Sequence, residues 1–358
     1  MKFLQILYPG LGGHASVAFS LIDGDTTNDY RNVLVGYGIE QPSEPFKKKA
    51  QETGTHYYSI VKKSGIDFAS KIKIFKLLKS ERPDVIIMHS TSVVFAVFFY
   101  CLFNKVKWIS VEHQSNFAKS KKDWFYTLLI LLLSPKIVYL SEDYKKQIKS
   151  KFKFIFPSQK VSIIQNGIAI DPYRKSHEKL LKPYFHLVMI SRFNSLRDHE
   201  TLIRAVSVLR LNNQVKLSIA GDGETKLEME QLVSELDLNK EIEFLGIINE
   251  NEIIELLQKT DFYVHSSLAE TQSTSILQVM ASKTAIVATD IPGINNVIRN
   301  EENGLLFEIK NVNHLVNSIE RLISNTELKS RIVENAYKDV QMKYSIVNMY
   351  NSYKKLWK

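Results

Sequence analysis

Cysteine is almost missing from this chain: Cys101 is the only one in 358 residues. No intrachain disulfide can form, and such usage fits a reducing compartment. Long apolar runs are missing too. The stretches 93–103 (VVFAVFFYCLF) and 125–133 (FYTLLILLL) fall well short of the roughly 20 residues that a spanning helix requires. The opening KFLQILYP meets Pro9 and Gly10 too soon for a signal-peptide core and lacks a cleavage pattern, so it reads as a first strand. No helix-turn-helix pattern, RNP-type aromatic motif or zinc-ligand spacing accompanies the net charge of +9, and nucleic acid is not an expected partner.

The second half also lacks the excess of positive charge. Through Arg174 there are 25 Lys+Arg against 14 Asp+Glu, whereas the remainder has 22 against 24. Lys47 to Lys49, Lys119 with Lys121 and Lys122, and Lys145, Lys146, Lys149, Lys151 and Lys153 supply much of the first-half excess. Segment 125–133 lies between two of these clusters, with Trp124 and Tyr126 at one end. It suits either a core helix or one half-inserted at the headgroup level of an anionic membrane. Segment 93–103 reads as a buried helix.

What is present is a repeated alternation. Short apolar runs at 3–8, 32–37, 57–61, 85–89, 108–112, 137–140 and 161–165 alternate with helical patterns, as parallel βαβ units do. A polar stretch at 167–183 with Gly167, Pro172 and Pro183 reads as a linker. A second series follows, with strands at 185–190, 216–220, 242–245 and 261–265 and helices from about 198, 224 and 250. Helices at about 312–324 and 327–343 close it, and 345–358 reads as one more aromatic helix. At 44% hydrophobic content the chain is long enough for two cores. The expected class is α/β: two facing Rossmann-like domains, residues 1–174 and 175–344, with a cleft between them.

The stretch from His265 to Gly293 (HSSLAETQSTSILQVMASKTAIVATDIPG) is the richest in chemistry. It reads as a strand, a loop of small hydroxyl residues opened by Glu270, a helix, and a second strand. A helix start carries unpaired N–H groups and about half a positive charge, which suits a diphosphate. Glu270 is a plausible acceptor for sugar hydroxyls, and Gln278 lies two helical turns on. In open parallel sheets ligands bind at the carboxyl ends of strands. Gly12 and Gly13, His113, Arg192, Gly221 and Glu270 all follow expected strands, which describes one cleft. Arg192 and Arg197, spaced across a loop, can place two forked cations around one diphosphate. Asp198, Asp222 and Asp290 read as caps or turn formers. Gly10 to Ala15 matches G-x-G-x-x-A, but strand 32–37 does not end in the acid that a nicotinamide fingerprint needs.

Taken together, these motifs resemble the retaining GT-B glycosyltransferases of family 4. Glu270 and Gln278 stand at that family's Glu-x7-Glu, and Ser191 to Arg197 is similar to its Gly-Arg-Leu-x-x-x-Lys. Asn166-Gly167-Ile168 with Asp171 matches its Asn-Gly-Ile/Val-Asp. The resemblance implies a hexosyltransferase without metal or cofactor, moving sugar from a nucleoside diphosphate donor, UDP-sugar favoured, to an acceptor hydroxyl with retention. It implies catalytic roles for His113, near the sugar C6 hydroxyl, and for Arg192, Arg197 and Glu270. Donor contacts fall to Gly12, Gly13, Asn166, Gly221, Thr271, Gln272, Ser273, Thr274 and Gln278. It also implies that 345–358 crosses back onto the first domain. The basic half and its apolar helix point to a glycan or lipid-linked glycan acceptor, with the protein cytoplasmic and peripheral at the inner membrane face. Gln278 replaces the second Glu, Arg197 replaces Lys, Thr271-Gln272-Ser273 replaces Gly-Phe-Gly, and Lys283 and Ala285 replace Gly and Pro. These departures leave room for a non-catalytic partner or a sugar-nucleotide epimerase.

Overall fold

Strands that are buried on both faces need continuous apolar sequence, and VIIM at 85–88 and AIVAT at 285–289 supply it. The computed structural model describes residues 1–9, 13–26, 30–65, 67–174 and 182–357. It divides into two units, Met1–Gly167 with Ile346–Lys358, and Ile168–Ser345.

The first unit runs β1 (Lys2–Leu7), α1 (Gly13–Asp23), β2 (Arg31–Gly38), α2 (Glu44–Glu52), β3 (His56–Val61), α3 (Phe68–Glu81) and β4 (Val85–Met88). It continues with α4 (Val94–Leu102), β5 (Lys107–Glu112), α5 (Lys121–Leu133), β6 (Lys136–Tyr139), α6 (Glu142–Lys151) and β7 (Val161–Ile163). Its strands form one parallel sheet in the order β3-β2-β1-β4-β5-β6-β7. The second unit runs β8 (Phe185–Ile190), α7 (His199–Leu209), β9 (Val215–Ala220), α8 (Lys226–Glu235), β10 (Ile242–Gly246) and α9 (Glu250–Gln258). After β11 (Phe262–His265) come α10 (Thr274–Ala281), β12 (Ala285–Thr289), β13 (Leu305–Phe307), α11 (Val312–Ser324) and α12 (Thr326–Lys343). Its parallel sheet has the order β10-β9-β8-β11-β12-β13. Each unit is thus Rossmann-like, as the βα alternation implies. The three-residue β13 is the strand that the sequence pattern did not reveal.

Alternate residues of each strand feed opposite cores. Leu187 and Met189 enter one apolar cluster of the second unit while Val188 enters the other; Leu4 and Ile6 do so against Phe3 in the first. The last helix, α13 (Ile346–Trp357), belongs to the first unit and buries Met349, Tyr350, Tyr353 and Trp357. Trp357 meets the Phe3 ring edge-on at 4.8 Å, and Tyr350 donates to Asp25 at 2.9 Å.

Strand order reverses between β1 and β4 in one sheet and between β8 and β11 in the other. Chains leave such a switch point in opposite directions and open a crevice at the carboxyl ends of the strands. The residues just after these four strands are therefore the ones to examine.

Candidate active site

At the switch point of the second sheet, the loops after β8 and β11 are tied to each other. Leu268 N–H donates to Leu196 O at 2.9 Å and Asp198 N–H to Ser266 O at 3.2 Å, around an antiparallel bridge between Arg197 and Ser267. Arg197 Nη1 donates to Ser267 Oγ at 2.5 Å and to Ala269 O at 2.8 Å, while Nη2 pairs with Glu270 Oε2 at 2.9 Å. His265 Nε2 lies 3.4 Å from the same carboxylate oxygen, and Thr271 N–H donates to Oε1 at 3.1 Å. Burial pushes the Glu270 pKa up, but Arg197 first, then His265 and the Thr271 N–H, outweigh it and hold the carboxyl at about 2. Burial lowers His265, and Glu270 opposes that shift. Tyr263 Oη, 3.3 Å from His265 Nδ1 and 2.9 Å from Ser275 Oγ, braces the ring. The result is a fixed, ionised acceptor at a strand end.

Three glycines allow these loops to pack so closely. A Cβ on Gly221 (φ 140°) would lie 1.9 Å from Ser191 O, and one on Gly223 (φ 150°) 2.1 Å from Phe193 O. Gly293 (φ 94°) presses on Glu270 O in the same way, at 2.3 Å. Gly221 thus has a packing task beside any role toward a ligand.

The helix that follows Glu270 is built as its sequence suggests. Ser273 caps α10, accepting from Ile276 N–H, and Thr271, Gln272 and Ser273 are buried. Thr274, Ser275 and Gln278 form a half-buried polar stripe along α10. Asp198 caps α7 through Thr201 N–H, Asp222 accepts from Gly223 N–H and Asp290 from Asn295, as cap and turn residues do. Arg192 is exposed on the loop after β8, so the two arginines differ: Arg197 is held within the Glu270 cluster and Arg192 reaches solvent.

In the first unit the corresponding residues are histidines. Gly12 lies outside the described residues and Gly13 opens α1. His14 on α1, His89 just after β4 and His113 just after β5 cluster with tilted rings, their centroids 4.5 Å (His14 to His113) and 5.1 Å (His89 to His113) apart. Loss of hydration lowers all three, His14 to about 4 and His89 to about 3. The tautomers of His89 and His113 follow from one amide. Gln5 Nε2 donates to Ala18 O at 3.3 Å, which turns Gln5 Oε1 toward His89 Nε2 at 3.1 Å and makes that nitrogen the N–H. Neutral His89 must then accept at Nδ1 from His113 Nε2–H, 2.8 Å away, leaving Nδ1 of His113 as its acceptor nitrogen. Among the described residues no group of three His, Cys, Asp or Glu is arranged to hold a metal. His14 and His89 escaped the sequence reading, although His89 ends an expected strand and the strand-end rule applied to His113 covers it equally. Asn166 is buried beyond β7, in the same unit.

One surface feature differs from expectation. Lys119 does not join the basic surface: its side chain is 2% exposed and pairs at 3.0 Å with Glu112, itself 1% exposed. It donates to Thr127 at 2.7 Å and lies over the rings of Trp124 and Tyr144. This buried cluster anchors the end of β5, next to His113.

Residues 171–339 match the family Glycosyl transferases group 1, and residues 11–172 match Glycosyltransferase Family 4. With its two parallel-sheet units, the chain belongs to the GT-B glycosyltransferases of this group 1/family 4 type. It is 28% identical over 227 residues to an uncharacterized glycosyltransferase of Methanocaldococcus jannaschii, covering 60% of this chain and 58% of that protein. The chain thus spans under two thirds of that relative. It is 24% identical over 314 residues to the UDP-Gal:alpha-D-GlcNAc-diphosphoundecaprenol alpha-1,3-galactosyltransferase of Escherichia coli, 81% of this chain and 79% of that one. The crystal structure of Anabaena HepE in complex with UDP and glucose superposes with a TM-score of 0.84 at 18% identity, over 99% of this chain and 98% of that one.

Proposed function

We propose that this protein transfers a hexose from a UDP-sugar to a hydroxyl of a lipid-linked glycan, with retention, while docked on the inner face of a membrane. The observation that carries the reading is the Glu270 cluster: a carboxylate fixed by Arg197 and Thr271 N–H, with His265 Nε2 3.4 Å away, at the switch point of the second sheet, just before the N-terminus of α10. Glu270 accepts from hydroxyls of the donor sugar. Arg192 and the unpaired N–H groups at the start of α10 take the diphosphate, where they stabilise the charge that grows on the leaving group. Arg197 holds Glu270 and adds its positive charge to the same region. The acceptor oxygen bonds to the anomeric carbon as the carbon–oxygen bond to the diphosphate breaks. The bonding pair leaves with the phosphate oxygen, which takes the acceptor proton on the same face. In the first unit His113, held by His89, is the residue that serves a sugar hydroxyl. The Escherichia coli relative's name, with its UDP-Gal donor and diphosphoundecaprenol-linked acceptor, supports the donor and acceptor classes.

The membrane part rests on the first unit's surface. No described helix is long and apolar enough to cross a membrane. Yet every exposed phenylalanine among the described residues, Phe68, Phe99, Phe103, Phe117, Phe125 and Phe154, belongs to that unit. On α5, Tyr126, Thr127, Ile130 and Leu131 face the core while Phe125 and Leu132 are exposed. On α4, Val94, Ala96, Val97 and Tyr100 are buried while Phe99 and Leu102 are exposed. Both helices are thus core on one side and apolar toward solvent on the other. Exposed lysines on α3, Lys73, Lys76 and Lys79, suit an anionic surface beside them.

A melting screen against UDP-, GDP- and ADP-hexoses tests the donor reading, since ligand at 100 times its dissociation constant stabilises by about 2.7 kcal/mol. UDP-hexoses are expected to raise the melting temperature, and Glu270→Ala to abolish transfer to a polyprenyl-diphosphate glycan while remaining folded. Absence of any shift with every nucleotide sugar refutes the reading.

A further inference from the structure

Gln278 belongs to a hydrogen-bonded line that the sequence pattern did not reveal. Its Nε2 donates to Tyr173 Oη at 2.7 Å, and Tyr173 donates to Glu250 Oε1 at 3.3 Å. Tyr173 sits on a 3-10 turn, Asp171–Tyr173, and is buried among Leu257 of α9 and Ile276 and Leu277 of α10; Glu250 is the first residue of α9. A phenol has one proton to give, and burial together with the Glu250 charge keeps it on the oxygen. Because that proton goes to Glu250, the lone pair of Tyr173 receives the amide N–H. Gln278 must then turn Oε1 away from Tyr173, on the half-buried stripe it shares with Thr274 and Ser275.

We propose that Tyr173 and Glu250 are positioning residues for ribose recognition: they hold Gln278 so that its carbonyl oxygen accepts from a hydroxyl of a ribonucleoside diphosphate. The assignment rests on the reading of the second unit as the donor site. It also accounts for the amide. The carboxylate that orients this line lies beyond the phenol, at 250, and a second one at 278 would compete with it for a single proton while repelling it. Gln278 and Glu250 therefore form a matched pair, and the line works in the opposite sense when their groups are exchanged.

Calorimetry on the full chain with UDP, 2′-deoxy-UDP and 3′-deoxy-UDP tests this. Wild type is expected to bind UDP about tenfold more tightly than the analogue that lacks the contacted hydroxyl, the worth of one well-placed hydrogen bond. Tyr173→Phe frees the amide to rotate and removes most of that preference, with little change for the deoxy analogue. Gln278→Glu also weakens UDP, and Gln278→Glu combined with Glu250→Gln restores both affinity and preference. Glu250→Ala, at an exposed side chain, reduces the same preference and serves if Tyr173→Phe does not fold. A purely structural role would weaken all three nucleotides equally. Full hydroxyl preference in Tyr173→Phe and Glu250→Ala, or no recovery in the double variant, overturns the proposal while the donor site stands. A wild type that binds no UDP overturns the donor reading along with it.

Discussion

Replacing Arg197 by methionine removes one cation from a carboxylate that has few other partners, and the size of the effect can be worked from the site. Glu270 is 11% exposed and Arg197 21% at the side chain, so solvent screens the pair only in part. In the folded protein the Glu270 pKa is held at about 2 against an ordinary 4.5, a difference of about 2.5 units, or about 3 kcal/mol of stability at neutral pH. The methionine variant forfeits most of that, and also the bonds from Arg197 to Ser267 and Ala269 that join the two loops. A loss of about 3 kcal/mol lowers the melting temperature of a unit this size by about 6–12 °C.

The sign of the pH dependence makes the test specific. A depressed carboxylate pKa contributes stability that is complete above the unfolded value, 4.5, and is lost as pH falls toward about 2. Without Arg197 the burial of Glu270 dominates and raises its pKa, so the variant suffers most at pH 7 and least in acid. The melting gap between wild type and Arg197→Met therefore narrows from pH 7 to pH 4, while contributions from other groups cancel in the difference. Adding Glu270→Gln to the variant removes the stranded charge and recovers part of the loss, since an uncompensated buried charge is costlier than a neutral amide. Calorimetric melts of wild type, Arg197→Met, Glu270→Gln and the double variant at both pH values complete the cycle. A gap that stays constant or widens in acid, or a double variant no more stable than Arg197→Met, refutes the assignment of Arg197 as the partner that keeps Glu270 ionised.

The histidine trio makes a higher stretch of the same acid limb informative. Folded values lowered from 6.5, to about 4 for His14 and about 3 for His89, give stability that is complete above 6.5 and declines as pH falls through this window. Each histidine contributes about 1.4 kcal/mol per pH unit, so urea midpoints should fall between pH 7.5 and 5.5, and His89→Gln should flatten the decline; equal slopes would count against a neutral cluster. On the membrane face, Phe125→Ser with Leu132→Ser should cut flotation with phosphatidylglycerol vesicles while leaving the melting temperature within a few degrees, because both side chains are exposed. Salt should release the wild type, since each lysine near an anionic surface is worth about 1 kcal/mol and is screened; a wild type that never floats would refute the docking face.

Reading the strand ends from sequence succeeded where the physics is local. Parallel strands buried on both faces must be apolar throughout, and the residue that breaks the run marks the carboxyl end, which is how His113, Arg192 and Glu270 stand out. What each of those residues touches is set by register across the sheet, and register is not written in any one segment. Arg197 meets Glu270, 73 positions later, because β8 pairs with β11 through Leu187↔Phe262 and Val188↔Tyr263. The sequence reads Arg197 as a second phosphate clamp; what it does not show is that the guanidinium also bonds Ser267, Ala269 and Glu270. Lys119 misleads in the same way. Beside Lys121 and Lys122 it looks like surface charge, yet a helix cap at Ser120 turns the chain there and directs the lysine inward to Glu112.

The strand-order reversals tie these cases together. Each sheet has one place where neighbouring strands send their chains apart, and there the polar groups can approach without a covering loop. In the second unit that place gathers Arg197, His265 and Glu270. In the first it gathers Gln5 and His89, from β1 and after β4, with His14 and His113 beside them. The charged member is absent from the first set, and its histidines are neutral. On the proposed function the diphosphate falls to Arg192 and the start of α10, while the ions of the second set, Arg197 and Glu270, offset each other and leave a fixed acceptor for donor hydroxyls. In the first set the Gln5 amide and His89 fix the tautomer of His113, which suits the hydroxyl contact proposed for it.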